Sequence, residues 1–593
     1  LIVMGFSSKT LTLFAMVLGI GIVVDEAIVV VEAVAEKMEH GMDAFKATEA
    51  AMHDVGGPVV AIALVLTAVF VPVAFLGGIT GELYKQFALT LAASVILSAF
   101  VALTLTPTMC AMFLKPTKAS RGPLAYFFKG FNFVFDKTNN GYARVVRQLS
   151  RFSVFGLIAV ALVCFAAFKL MTSLPASFVP EEDQGLIIAS MSLADATSLS
   201  ETTKASTQVE KILMGIPGIE DVATIGGYDI FSSISASNYA SFLIILKPWD
   251  DRQTTATVQS GIMYECYKRT FCIPNAKIMF TGMPSLPGLG VQGGVQFELQ
   301  NRSGASATEL SDTATKFLED VLKDPKIQMA YTQYRANVPR IFLNLDRDKT
   351  ESMGISVSSV FNNLNTYLGG AYINDFNLFG RTYRVYVQSQ PQYRDKPEDI
   401  AHIYVPTAAS NMVPLGTILS NKNISGPISV VRYNLYPTAE ISAQGVAGVS
   451  DGDVMNTLEK AAKSLPQGYS FEYTGQAFQQ KNASSSQMLV LGLAIVFVFL
   501  FLAALYESWS IPLAVLLALP FGIMGAFLGQ TVRGFANDTY CQIGLVMLLG
   551  LAAKNAILIV EYAKVRREKG YSIIKATVEA SHLRLRPILM TSF

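Results

Sequence analysis

Charge is what this chain has least of. Asp, Glu, Lys and Arg together make up 15% of its 593 residues, against about a quarter in soluble domains. With 51% hydrophobic residues, that shortage excludes an ordinary soluble domain and points to a membrane protein with a sizeable soluble part. The net charge of +1 gives no basis for a nucleic-acid partner. Five cysteines are too few to staple a scaffold of this size. Cys266 and Cys272 could pair in an oxidising compartment; the simpler expectation is that they are free. There is no HExxH pattern, no P-loop and no nucleophile–base pairing, so no enzyme chemistry, cofactor or metal site is indicated. Gly288–Gly293 fits GxGxxG, but Pro284 and Pro287 precede it and a strand follows, so it reads as a flexible loop and not as a dinucleotide site.

What is present is a set of long apolar runs. Seven reach the roughly 20 residues a membrane span needs: Leu11–Val34, Pro58–Phe75, Phe87–Leu114, Phe152–Leu170, Met488–Leu505, Ile511–Gln530 and Ile543–Tyr562, with an eighth beginning at Pro587. Basic residues set the orientation. Between Lys115 and Arg151 stand eight Lys/Arg and one acid, Asp136; between Ala563 and Arg586 stand seven Lys/Arg and two acids. Both segments are expected on the cytoplasmic side. Span parity then puts the long stretch from about Met171 to Gln487 on the opposite side, the periplasm of a bacterium. Tyr126–Phe135, with Lys129 among Phe127, Phe128, Phe131, Phe133 and Phe135, reads as an interfacial helix.

The external stretch alternates strand and helix patterns. Gly185–Ser192, Leu199–Met214, Ile219–Ile225, Ser241–Leu246, Thr255–Tyr267 and Lys277–Gly282 read as βαββαβ, a ferredoxin-like split βαβ unit. A second unit starts at Gln296–Gln300 with a helix at Ala307–Leu322, and is completed at Ala439–Gln444 and Val454–Ser464. The fold class expected is therefore a membrane α-helical bundle built on parallel internal repeats, plus α+β periplasmic units. The expected divisions are 1–115 (three spans), 116–151 (interfacial linker), 152–172 (the span opening a second repeat), 173–290 (first external unit), 291–339 with 434–482 (second external unit), 340–433 (inserted subdomain) and 483–593 (second span group).

The chain also repeats itself. Shifted by 529, Gly21–Pro58 overlays Gly550–Pro587 without a gap, with thirteen identities in 38 positions, among them Gly41/Gly570, Lys46/Lys575, His53/His582 and Pro58/Pro587. Both copies run in the same direction, an arrangement found in transporters. Asp25 and Glu26 fall inside a span, and Lys554 and Asn555 occupy the equivalent positions of the other copy. An ionisable group at mid-membrane costs at least about 2.5–3.5 kcal/mol, so these side chains are expected to face one another and not lipid. Arg584 follows at the mouth of the last span, with Thr591 two turns in. Two carboxylates crowded in a low-dielectric medium compete for a proton, and a mobile ammonium beside them changes how tightly it is held. That is a proton relay. Glu32 and Glu561, two turns nearer the cytoplasm, are expected at the interface.

These residues carry a resemblance. Gly21–Glu32 (GIVVDEAIVVVE) is similar to the fourth transmembrane helix of resistance-nodulation-division pumps, Gly550–Glu561 (GLAAKNAILIVE) to the tenth, and Arg584–Thr591 (RLRPILMT) to the start of the eleventh. Leu505–Pro512, Pro180–Gly185 and Tyr372–Phe376 also resemble that family, in its hydrophobe/amphiphile exporter branch. The resemblance covers essentially the whole chain. It implies a multi-pass inner-membrane protein with large periplasmic domains, a homotrimer, a periplasmic adaptor and an outer-membrane channel. It makes the split βαβ units porter lobes and the insertion a channel-docking subdomain, and gives proton translocation to Asp25, Glu26, Lys554, Arg584 and Thr591. One departure stands out: the family carries two aspartates where this chain has Asp25-Glu26, so the second acid sits on a longer stem. For substrate binding, the resemblance points to Gly226–Ser232 as a loop between pockets, with Ile225, Tyr228, Ile230, Phe231 and Leu243 lining an apolar pocket suited to hydrophobic or amphiphilic small molecules.

The reading this favours is a proton-driven antiporter exporting drugs, dyes or detergents through a tripartite complex. Two alternatives remain open from sequence: a heavy-metal exporter of the same fold, for which Met279 and Met283 lack an obvious third thioether, and a receptor or scaffold with a vestigial relay. The repeat also predicts length. The second span group lacks counterparts of the first, so the native polypeptide is expected to carry about 380 further residues before Leu1 and about 50 or more after Phe593. Intact mass spectrometry checks this: a native mass near the 64.2 kDa of the present chain overturns it.

Overall fold

The structure, a computed structural model, describes residues 10–75, 77–115, 123–180, 182–286, 288–446 and 448–592; within these, the side chains of 10, 11, 23, 25, 80, 123–125, 127, 128, 483–491, 591 and 592 are not described. The chain opens with α1 (Thr10–Glu39) and α2 (Ala44–Ala74), followed by α3 (Gly78–Leu103) and α4 (Leu105–Phe113). Then come α5 (Pro123–Arg151) and α6 (Ser153–Ser173). Among the described residues six helical stretches are long and apolar enough to cross a membrane, and a shorter apolar stretch covers Gly492–Tyr506.

Several expected span boundaries differ from what forms. The span expected to begin at Pro58 is one helix from Ala44, with Pro58 and Pro72 inside it. Proline is tolerated there because neighbouring helices and side chains take up the freed backbone groups. The span expected over Phe87–Leu114 divides at Thr104, whose hydroxyl bonds the Phe100 carbonyl at 2.6 Å; Pro107 then falls in the first turn of α4, where no amide donor is missed. α5 packs against the last helix of the chain, and the Arg586 guanidinium stands 5.5 Å from the Phe135 ring centre. α6 buries only Ala167 fully and packs Leu170 and Met171 against the Phe527 cluster; most of its other apolar side chains are exposed, as on a span facing lipid.

The first external unit is β1 (Leu186–Ser192), α7 (Leu199–Met214), β2 (Ile219–Asp229), β3 (Ile234–Leu246), α8 (Gln259–Thr270) and β4 (Lys277–Gly282). Its strands lie in the order β2-β3-β1-β4, with every pairing antiparallel. Alternation puts Ile187, Ala189, Met191, Phe242 and Ile244 on the face that the two helices cover with Val209, Leu213, Ile262 and Cys266. Gly226–Ser232, expected as a loop, is different: β2 continues through Asp229 with a bulge between Gly226 and Tyr228, and only a short turn separates it from β3. Gly227, at φ +79°, supplies the left-handed backbone that the bulge requires. Cys266 is buried and Cys272 exposed, and both are free.

The second unit begins with β5 (Val295–Asn301), α9 (Ala307–Val321) and β6 (Ile327–Thr332). An inserted segment follows: β7 (Val338–Leu345), α10 (Arg347–Ser352), α11 (Val357–Leu364), β8 (Ala371–Leu378), β9 (Arg381–Val387), β10 (Tyr404–Pro406), β11 (Met412–Pro414), β12 (Leu419–Gly426) and β13 (Val431–Tyr433). The unit then closes with β14 (Tyr436–Gly445), α12 (Asp451–Ala462) and β15 (Tyr469–Tyr473). β5 is central, between β14 and β15, and β6 and β13 both pair with β14. α9 opens on a capping box, Ser306 and Glu309 each bonding the other's backbone amide. The insertion keeps its own small core of Ile355, Val360, Ile400, Val405 and Leu415.

The chain returns to the bundle through α13 (Gly475–Tyr506), α14 (Ser510–Leu516), α15 (Leu519–Arg533), α16 (Thr539–Glu568) and α17 (Ile573–Ser592). The joint between α1 and α2 is repeated between α16 and α17. A shift of 529 carries Glu39 onto Glu568 and Ala44 onto Ile573, the ends and starts of those helices. Gly41 and Gly570 each have φ +89° and each closes its helix by bonding back three residues, to Met38 and to Arg567. Beside each joint an ion pair ties the two helices, Lys37–Asp54 at 2.7 Å and Arg566–Glu579 at 3.3 Å.

The core of the second unit turns on Phe297. It is fully buried and stacks on Phe471 (4.6 Å between ring centres) and Phe317 (5.2 Å), with Tyr473 edge-on at 5.8 Å. Phe297→Ala should cost that unit about 3–5 kcal/mol. Hydrogen exchange is expected to rise across β5, β14 and β15 while the spans keep their protection.

Candidate functional site

Glu26 on α1, Lys554 on α16 and Arg584 on α17 are 1%, 3% and 3% exposed. Three ionisable side chains are thus withdrawn from the surface of a bundle whose outer residues are apolar. Each is engaged. Arg584 stands 4.9 Å from the centre of the Tyr562 ring, and neither Glu26 nor Lys554 is without a partner. Asp25 precedes Glu26 on α1 and Thr591 lies near the end of α17; their side chains are outside the described residues. Glu32 is half-buried, with Arg584, Arg586 and Glu36 as its charged neighbours. Glu561 shares a hydrogen bond with the Tyr506 hydroxyl. α16 approaches α2 closely at Gly550: a Cβ there would meet the Leu66 side chain at 2.5 Å. A small residue at that point lets the Lys554 helix sit deep in the bundle.

The five residues expected to line a substrate pocket fall on the first external unit. Ile225 pairs with Ser241 and Leu243 with Ala223, which places both on the sheet face away from α7 and α8. Ile225 is 40% exposed. Tyr228 is the penultimate residue of β2, and its carbonyl accepts from the Ser241 hydroxyl, whose oxygen accepts from the Ile230 amide. Phe231 lies in the turn and lines a cavity of about 160 Å³ between the two external units; the other four do not line it.

The groups opposite Phe231 were not singled out from sequence. Glu440 and Ser442 on β14, Tyr331 on β6 and Gln292 on the loop joining the units are among the residues that line that cavity. Gln292 donates to Ser442 at 2.5 Å and lies 3.5 Å from Glu440, and its carbonyl accepts from the Tyr331 hydroxyl. Glu440 is directly opposite Glu298 on β5, and Glu298 is in turn opposite Glu472 on β15. Glu472 is relieved by Arg302 and Asn434, and Glu298 accepts from Thr438. Across the cavity Asp229 is fully buried, held by Ser190 and by the amide and hydroxyl of Ser232. Burial pushes the Glu440 carboxyl up to about 7; the charges of Glu298 and Asp229 add to the rise and the Gln292 amide opposes it. Burial also raises Glu298. An ion pair joins the two units: Arg335 bonds Asp195 at 2.5 Å and the Tyr239 hydroxyl at 3.0 Å.

A bundle of apolar spans with charged side chains inside it, carrying a pair of external α/β units with a cleft between them, is the plan of a membrane transporter. The chain belongs to the AcrB/AcrD/AcrF family, which it matches over residues 1–593. It is 38% identical over 593 residues to the toluene efflux pump membrane transporter TtgB of Pseudomonas putida, covering 99% of this chain and 56% of that protein. It is 37% identical to the multidrug export protein AcrF of Escherichia coli over 597 residues (99% and 57%) and, over 596 residues, to that organism's multidrug resistance protein MdtF (99% and 57%). The chain therefore spans about half the length of the curated relatives it matches. Membership of this family of inner-membrane transporters, together with the apolar helices, places the chain in the bacterial inner membrane.

The raised Glu440 carboxyl makes a pH prediction. Its folded value of about 7 lies above the ordinary 4.5. Between those values the folded state holds the extra proton, so stability falls as pH rises from 4.5 through 7, and the penalty is complete above that. Glu440→Gln removes a penalty of at most about 3 kcal/mol. Thermal unfolding is expected to show the variant gaining on the parent at pH 8 and matching it at pH 5. Equal gain at both values overturns the assignment.

Proposed function

We propose that the chain forms the membrane and porter parts of a proton-driven antiporter that exports hydrophobic and amphiphilic compounds. The observation that carries this reading is the burial of Glu26, Lys554 and Arg584, each 3% exposed or less, on three different helices of the bundle. Insertion of such groups is costly, and side chains retained inside a membrane at that cost usually serve ion or proton movement. Asp25 and Glu26 take and release a proton. Lys554 shifts between carboxylates as their charge changes, and Arg584 and Thr591 line the path from the cytoplasmic side. The two external units are porter lobes of ferredoxin-like type, and substrate sits near Phe231, with Ile225, Tyr228, Ile230 and Leu243 elsewhere on the same unit forming further apolar surface. An apolar, aromatic wall captures varied amphiphiles because burial is non-directional. The names of TtgB, AcrF and MdtF, which speak of toluene efflux, multidrug export and multidrug resistance, support the substrate class. By the same analogy the assembly is a homotrimer that works with a periplasmic adaptor and an outer-membrane channel, the inserted segment 340–433 meeting the channel.

The test is dye efflux driven by an imposed pH gradient, with assembly checked in parallel. Lys554→Ala and Glu26→Gln should each cut export by about tenfold or more, the loss of a coupling of over about 1.4 kcal/mol. Glu26→Asp, which keeps a carboxylate, should retain it. Parental rates in both of the first two variants overturn the reading.

A further inference from the structure

Between the end of α6 and the start of β1 runs a short extended strap, Leu174–Val179. On one side it is stitched to the external end of α16. Ala176 forms a parallel bridge with Asn537. The Asn537 amide bonds the Pro175 carbonyl at 2.8 Å, the Ser177 amide bonds the Asn537 carbonyl at 3.2 Å, and Thr539 reaches the Phe178 carbonyl with both its amide (3.0 Å) and its hydroxyl (2.5 Å). Asp538 caps α16 at the same point by accepting from the Cys541 amide at 2.7 Å. On its other side the strap is held by the second external unit. The Ala176 carbonyl accepts from the Gly452 amide in the first turn of α12 at 3.0 Å and from the Gln480 side chain on α13 at 3.2 Å. Phe178 and Val179 are 2% and 5% exposed, packed against Tyr540 of α16 and against Leu286 and Leu289 of the loop that joins the two units. Ser285 of that loop donates to the Pro180 carbonyl at 3.0 Å.

α16 is the helix that carries Lys554, fifteen residues from Thr539 and so about 22 Å along the axis. We infer that this strap is the mechanical coupler of the pump: it moves with α16 when proton occupancy around Lys554 changes, and it transmits that movement through the Ala176 carbonyl to α12 and α13. The two donors share one carbonyl, whose own segment is fixed to α16, so the three elements shift together or one of these hydrogen bonds is lost. Gly452 is the point of closest approach. A Cβ there would stand 2.5 Å from the Ala176 oxygen, a backbone atom that cannot swing aside. Alanine suits a helix better than glycine does, so Gly452→Ala acts on the seam between strap and α12 and not on the helix.

This inference rests on the proposed antiport. The experiment is the native polypeptide in proteoliposomes under an imposed pH gradient, with proton uptake and dye export read together. Gly452→Ala and, as a milder variant, Gln480→Ala are expected to keep proton uptake while dye exported per proton falls about fivefold or more, the loss expected when two sites are uncoupled. A purely structural role would lower both fluxes in proportion and leave the ratio at the parental value. That result, or an unchanged ratio with unchanged export, overturns the coupler. If Gly452→Ala fails to assemble, Gln480→Ala decides by the same ratio. A parent that couples no protons to dye export, or a Lys554→Ala variant that pumps normally, refutes the antiport reading and the coupler with it. A coupled parent with unaltered strap variants refutes the coupler alone.

Discussion

The constraint on which the rest depends is the cost of keeping a charge among apolar helices. Glu26, Lys554 and Arg584 cannot face lipid without a penalty of about 2.5 kcal/mol or more apiece. The bundle therefore has to close around them, and the close approach of α16 to α2 at Gly550 is part of that closure. The outward faces are left apolar, as on α6, and the polar content of the spans is gathered inside. A site built this way is chemically useful for the same reason that it is costly. In a medium of low dielectric constant, a proton gained or lost changes local forces far more than it would in water.

A second region shows the same logic with water nearby. The sheet of the second external unit has an apolar face of Val295, Phe297 and Leu299 and an opposite face of Gln296, Glu298 and Gln300, all of them buried. Three glutamates, 440, 298 and 472, stand side by side across that polar face. Each has a different remedy. Glu472 has an arginine, Glu298 a threonine hydroxyl, and Glu440 a weak contact with Gln292 and a carboxyl raised to about 7. The least relieved of the three is the one that lines the cleft.

Membrane and cleft are joined by little covalent structure, so the hydrogen-bonded strap between them matters. Its bonds to α16 are mostly backbone to backbone and therefore independent of side-chain identity. That makes the segment hard to notice by reading residues, although its geometry is specific.

Much of this was legible in the sequence. The spans, the charge bias, the period-two and period-3.6 patterns of the external units and the 529-residue self-similarity all express local physics that neighbouring residues carry by themselves. Even the helix-ending role of Gly41 and Gly570 follows from their place after an apolar run and before a new one. Tertiary structure decided what local pattern leaves undetermined. Polar residues alternating along Tyr436–Gly445 look like an ordinary solvent-facing strand surface; packing against distant segments makes Thr438, Glu440 and Ser442 part of a cavity wall, and burial raises Glu440. Gly226–Asp229 looked like a loop, and cross-strand pairing with Ala240 and Ser235 made it strand. Ala176 is an ordinary alanine in sequence, and its carbonyl gains two donors from residues roughly 300 positions away. Alternation along a chain records which residues share a face. What covers that face is set by contacts between distant segments, and no local pattern encodes it.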